Sequence, residues 1–142
     1  MNMRYEVKRQ LLFLAPVLLA VILLPHTTLG SSSTPKALVG KWAGRVSSIS
    51  SASFAVTIEI GPDSKAHIIG EGSPCFTEAD LVVATTGADS VTLAGMSKAH
   101  ENITFKGTLD SNEKQLVVTY IVNGSGSARC ETDRGAGTLD KQ

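Results

Sequence analysis

The sequence predicts an all-β fold, an antiparallel up-and-down barrel of about eight short strands, on three observations. From about residue 39 onward, apolar residues alternate with polar or small ones at period 2. Clusters of Gly, Pro, Asp, Asn and Ser interrupt that alternation at short intervals. Over the same region no apolar stripe of helical period runs long enough to build a helix. One-sided alternation gives each strand a core face and a wet face, as in antiparallel sheets. Strands that follow one another through hairpins close most simply as an up-and-down barrel, and closure removes the exposed edges. A sandwich of two sheets satisfies the same pattern and stays open as the alternative.

The strands follow in order. Val39 to Val46 is the first. In the second, Phe54, Val56, Ile58 and Ile60 alternate with Ala55, Thr57 and Glu59, and Gly61-Pro62-Asp63-Ser64 ends it with a turn. Ala66 to Gly70 is the third, broken off by Gly72-Ser73-Pro74 just before Cys75. Ala79 to Thr85 is the fourth, closed by Gly87-Ala88-Asp89, and Ser90 to Met96 is the fifth. Asn102 to Leu109 leads through the hairpin turn Asp110-Ser111-Asn112-Glu113 into Gln115 to Val122, the most β-prone segment. Asn123-Gly124 suits the left-handed positions of a tight turn. Ser127 to Glu131 carries Cys130, and Gly137 to Lys141 makes a last short strand. The predicted inward set (Phe54, Val56, Ile58, Ile103, Phe105, Leu116, Val118, Tyr120) is bulky, so a largely filled barrel with at most a shallow opening is expected.

A chain of 142 residues holds one domain more comfortably than two. Residues 1–30 read as a signal peptide or N-terminal anchor. Arg4, Lys8 and Arg9 precede an uncharged run from Leu11 to Leu24, and small residues follow, with cleavage best placed after Gly30. That run is short for a membrane span, which needs about 20 apolar residues. Residues 31–37 read as a flexible linker and 38–142 as the barrel domain. The expected location is secreted, periplasmic or extracellular, with membrane contact only through an uncleaved N-terminal segment.

Without the leader's Arg4, Lys8, Arg9 and Glu6, the chain keeps 10 Lys+Arg against 12 Asp+Glu, and the basic residues are scattered. A phosphate-binding stripe needs them clustered and in excess, so nucleic acid is not an expected partner. Cys75 and Cys130 are the two cysteines, and in an oxidising compartment such a pair becomes a disulfide; two buried free thiols are the alternative. On the chain-entropy model a bridge closing so long a loop is worth about 4 kcal/mol. There is no Cys-x-x-Cys spacing and the three His are far apart in sequence, so neither a metal nor any cofactor is expected.

Leu38-Val39-Gly40-Lys41-Trp42 resembles the opening strand of the avidin family, and its Gly40-x-Trp42 core is similar to the first-strand motif of lipocalins. Both resemblances imply an eight-stranded antiparallel barrel whose base is closed by the Trp. They cover five residues. The continuation Ala43-Gly44-Arg45-Val46-Ser47-Ser48 departs from the polar biotin-contacting residues of avidins, and Trp42 is the only Trp in the chain. Biotin binding is therefore not expected.

Trp42 and Tyr120 are the candidate ligand-contacting or structural core residues, with Trp42 read first as a barrel floor. His67 falls on the strand face opposite Ala66 and Ile68, a solvated position, and His100 with Glu101 reads as a surface pair at a strand start. No nucleophile is placed beside either His, so no catalytic residue is assigned and an enzyme is not expected. Ser47 to Ser53 reads as a mobile hairpin at one barrel end. Glu71, Glu78, Asp80, Glu131 and Asp133 flank the cysteines, and would form a weak cation site only if the bridge gathered them. Asn102-Ile103-Thr104 and Asn123-Gly124-Ser125 fit the glycosylation pattern. The exposed face Val117, Thr119, Ile121 could pair with another copy, and the oligomeric state is left open.

The leading functional expectation is an exported non-enzymatic binding or interaction module acting on a protein or cell-envelope partner. A carrier of a small apolar ligand and a structural or inhibitor-like protein are the alternatives. A hydrolase with an assembled acid/His site ranks last.

Overall fold

The computed structural model describes residues 33–124 and 130–142, so the expected leader, its cleavage site and the segment 125–129 lie outside the described residues. Eight strands form in chain order: β1 Gly40–Val46, β2 Phe54–Ile60, β3 Lys65–Glu71, β4 Glu78–Thr85, β5 Ser90–Ser97, β6 Asn102–Leu109, β7 Gln115–Asn123 and β8 Thr132–Lys141. Each pairs antiparallel with the next, and β8 returns to pair with β1, from Trp42 opposite Lys141 to Val46 opposite Gly137. The sheet is a closed up-and-down barrel and not a sandwich.

Two local features differ from the sequence reading. The last strand starts at Thr132 and not at Gly137, because Gly135 and Gly137 occupy inward positions at the closure and continue the ladder with β7. A Cβ at Gly137 would lie 2.2 Å from the Arg45 carbonyl oxygen, and one at Gly135 would lie 1.9 Å from that of Ser47. Only glycine lets β8 approach β1 so closely. Asn123 and Gly124 do not form the tight turn either. Asn123 pairs with both Asn102 and Thr132, and the Gly124 N–H donates to the Glu131 carbonyl at 2.8 Å. Continued ladder pairing outweighs the local turn preference there. Non-glycine left-handed residues fall instead at Ser64, His100 and Glu113.

The barrel has two unlike ends. At the end holding the β2–β3, β4–β5 and β6–β7 turns, Leu38 and Trp42, both fully buried, form the floor. The indole Nε1 of Trp42 donates to the Leu38 carbonyl at 2.9 Å, satisfying the one polar group that a buried Trp brings with it. The Lys141 ammonium lies 5.1 Å from the centre of its ring and donates to the Ala37 carbonyl at 2.7 Å. The opposite end carries the longer β1–β2, β3–β4 and β7–β8 connections, and the β5–β6 turn.

Between the two ends the barrel is packed solid. Ile58, Ile68, Phe105, Leu116 and Val122 have no accessible surface, and the rest of the expected inward set is 4 % exposed or less. An enclosed void wide enough for water would leave its lining with accessible area, and these side chains have almost none. Four aromatic rings fill the half nearest the longer connections: Phe105 stacks on Tyr120 at 5.1 Å, while Phe54 meets Phe76 and Tyr120 edge-on at 6.0 and 5.7 Å.

Candidate functional site: a cleft beside the disulfide

The β3–β4 connection is built to turn one ring inward. Gly72, at φ 79°, reverses the chain, and the Ser73 hydroxyl accepts the N–H groups of Cys75 and Phe76 at 3.3 Å each. Phe76 then enters the barrel over Gly70, where a Cβ would stand 2.7 Å from its ring. Cys75 is bonded to Cys130 with Cα atoms 5.1 Å apart, so the expected disulfide ties this loop to the chain entering β8.

The β5–β6 turn folds around a second serine. The Ser97 N–H donates to the Glu101 carbonyl at 2.9 Å, and the His100 N–H to that of Ser97 at 3.0 Å. The Ser97 hydroxyl accepts the N–H groups of Ala99 and Glu101 at 3.2 Å and donates to Glu101 Oε2. Glu101 is consequently 2 % exposed, which corrects the expectation that it forms a surface pair with His100. The competing influence is the serine, which draws the carboxylate back over its own turn.

Between these two loops lies a cleft of about 480 Å³, lined by residues 73–78 together with Ser97, Lys98, Ala99 and Glu101. On its rim the Lys98 ammonium is bonded to Glu78 Oε1 at 2.5 Å. That contact holds the Glu78 carboxyl below the usual carboxylate range and raises the Lys98 ammonium above its own. His67, on the outer face as expected, places Nδ1 2.8 Å from Asp80 and Nε2 3.7 Å from Glu78.

The acids near the cysteines do not gather into one site. Glu78 and Asp80 face outward beside His67, Glu71 and Glu131 are exposed, and Asp133 points into the barrel and is fully buried. Among the described residues no three His, Cys, Asp or Glu side chains converge as a metal site would require. Asp133 instead organises the β1–β2 connection. Ser48 donates its hydroxyl across both carboxylate oxygens at 2.8 and 3.0 Å, the Ser50 N–H donates at 3.2 Å, and Tyr120 donates at 2.7 Å. Ile49 N–H also bonds the Arg134 carbonyl, so the serine-rich loop is tied along β8 where a free hairpin was expected. Burial pushes the Asp133 carboxyl up, but the bonds from Tyr120, Ser48 and Ser50 outweigh it and hold the group below its ordinary value. Burial and the Asp133 contact raise the Tyr120 phenol well above its own.

Of the other candidates, Trp42 is the floor of the opposite end and Tyr120 is a core ring. Val117 and Ile121 are exposed on the outer face of β7. A second, more open cleft at the Trp42 end is lined by Asp110, Asn112, Lys114, Gln115, Asp140 and Lys141. The buried Glu101 was missed in sequence, where its signal is no more than a serine closing one strand and a glutamate opening the next.

No family model matches the chain, and no curated protein matches it either. The architecture is a closed eight-stranded antiparallel barrel, of the same coarse kind as the small avidin-like and lipocalin-like barrels. It is stapled by one disulfide.

Proposed function

We propose that the protein is an exported, non-enzymatic interaction module that engages a protein or cell-envelope partner through the barrel end carrying the disulfide. The observation that carries this reading is the solid interior: side chains fill the space where a lipocalin-like carrier would hold its ligand. Recognition then falls to surfaces outside the core, and the disulfide end offers the better-built one. Its β1–β2, β3–β4 and β5–β6 loops are held by the Cys75–Cys130 bond, by Asp133 and by the Ser73 and Ser97 turns. Ordered loops lose less entropy on binding than free ones. The disulfide also supports export, since such bonds persist in oxidising compartments.

The test is site-specific photo-crosslinking in the cells that make the protein, with the reactive side chain placed at Thr77, at Ala99 or, at the opposite end, at Asn112. A discrete adduct from Thr77 and Ala99 but not from Asn112 is expected. Adducts formed equally from Asn112, or from none of the three, would overturn the reading.

A further inference from the structure

We propose that the cleft between the 72–77 and 98–101 loops binds one ammonium or guanidinium group on a short apolar stem, with the Glu101 carboxylate as its counter-charge. This assignment rests on the reading of the disulfide end as the working end, and names the chemistry recognised there.

The argument begins with Glu101. It is 2 % exposed, and its Oε2 accepts one bond, from the Ser97 hydroxyl. Among the described residues Oε1 makes no hydrogen bond and the carboxylate forms no ion pair. A carboxylate withdrawn from water is normally paired with a cation or fully hydrogen-bonded, because the lost hydration is otherwise uncompensated. The lysine nearest in sequence is Lys98, and it is committed elsewhere: its ammonium is bonded to Glu78 and its side chain is 86 % exposed on the rim. Among the described residues the cleft thus keeps one buried acid without a counter-charge.

The space in front of that acid is suited to a side-chain-sized ligand. About 480 Å³ is too large for a bare ion and lies within the usual range of small-molecule pockets. Pro74, the Cys75 half of the disulfide, Phe76 and Ala99 supply apolar wall for a methylene stem. A hard divalent metal fits poorly, since it seeks six or more oxygen ligands and no group of three acidic or imidazole side chains converges among the described residues. A guanidinium or ammonium needs a single carboxylate and forms strong charge-assisted hydrogen bonds with it. A free small amine and a Lys or Arg side chain of a partner share this chemistry.

The test titrates n-butylguanidinium into the oxidised, isotope-labelled protein and follows backbone amide shifts by NMR. Saturable shifts are expected at Cys75 to Thr77 and Ala99 to Glu101, with none at the Trp42 end. Glu101→Gln is expected to weaken binding by about tenfold or more, the scale set by losing one partner of a buried charge pair. The uncharged analogue n-butylurea, titrated into the unaltered protein, needs no variant to fold and is expected not to bind. A blocked Ala-Arg-Ala peptide binding more tightly than n-butylguanidinium would support the site and assign the cation to a protein partner. Weaker or equal peptide binding would support it and assign a free small cation. Equal binding of n-butylurea, or no shift at these amides, would overturn the proposal. Crosslinks persisting from Thr77 and Ala99 in that case would leave the interaction reading standing and remove only the cation.

Discussion

The Tyr120 hydroxyl donates to Oδ2 of Asp133 at 2.7 Å, joining a core ring of β7 to a fully buried carboxylate of β8. Through Asp133 the same contact reaches Ser48 and Ser50, so one acid fixes both the β7–β8 ladder and the β1–β2 loop. Tyr120→Phe removes one donor and is expected to destabilise the fold by about 1–2 kcal/mol. Asp133→Ala strips the acceptor from the buried Tyr120 hydroxyl and from the part-buried Ser48 and Ser50 contacts, and is expected to cost about 3 kcal/mol or more. Urea unfolding of both single variants and the double variant checks this, with a coupling of about 0.5 kcal/mol or more expected between them.

The same pair sets the pH limits of stability. The Asp133 carboxyl is depressed in the fold, so its contribution is present above the unfolded value of about 4 and is lost as pH falls through the lower folded value. The Tyr120 phenol is raised, so its contribution is full below about pH 10 and is lost as pH climbs toward the folded value. Unfolding free energy measured against pH should fall at both extremes. Asp133→Asn should flatten the acid limb, and Tyr120→Phe the alkaline one. Tyr5 and Tyr120 are the two tyrosines, so protein beginning at residue 31 carries one phenol to follow by absorbance.

Reduction of the disulfide releases a link between residues 55 apart in sequence. A loss of about 4 kcal/mol is expected, measured as the shift in urea midpoint between oxidised protein and the Cys75→Ser, Cys130→Ser double variant. The barrel itself should persist, because its ladder hydrogen bonds run round the closed sheet without this link. Circular dichroism of the double variant should therefore keep its β signature while the midpoint falls.

Gly137→Ala probes closure. The added methyl would meet the Arg45 carbonyl oxygen at 2.2 Å and Val46 side-chain and backbone atoms at 2.9 Å, none of them the end of a flexible side chain. The β1–β8 seam must shift to admit it, and a loss of about 3 kcal/mol is expected for such overpacking. Amide hydrogen exchange should accelerate along β1 and β8 before it does along β4 and β5.

Strand order and the inward set were legible in sequence because burial on one face enforces period 2, and Phe54 to Ile60 and Leu116 to Val122 show it without interruption. The start of β8 was not legible. Its Gly135 and Gly137 answer to the neighbouring strand β1, a contact between residues far apart in the chain. The burial of Glu101 was hidden for a similar reason, since an acid beside a histidine reads as surface until Ser97 is seen to fold it inward. Asp133 read as one of several rim acids, and only the pairing of β7 with β8 reveals that it shares a face with Tyr120.

The solid interior is most directly tested with xenon, which enters dry apolar cavities and leaves filled cores empty. Crystals of the oxidised protein under xenon pressure should show no bound atom among Ile58, Ile68, Leu93 and Phe105. A xenon atom at that position would reveal a chamber inside the barrel, contradict the filled core and favour the small apolar-ligand carrier over the interaction module.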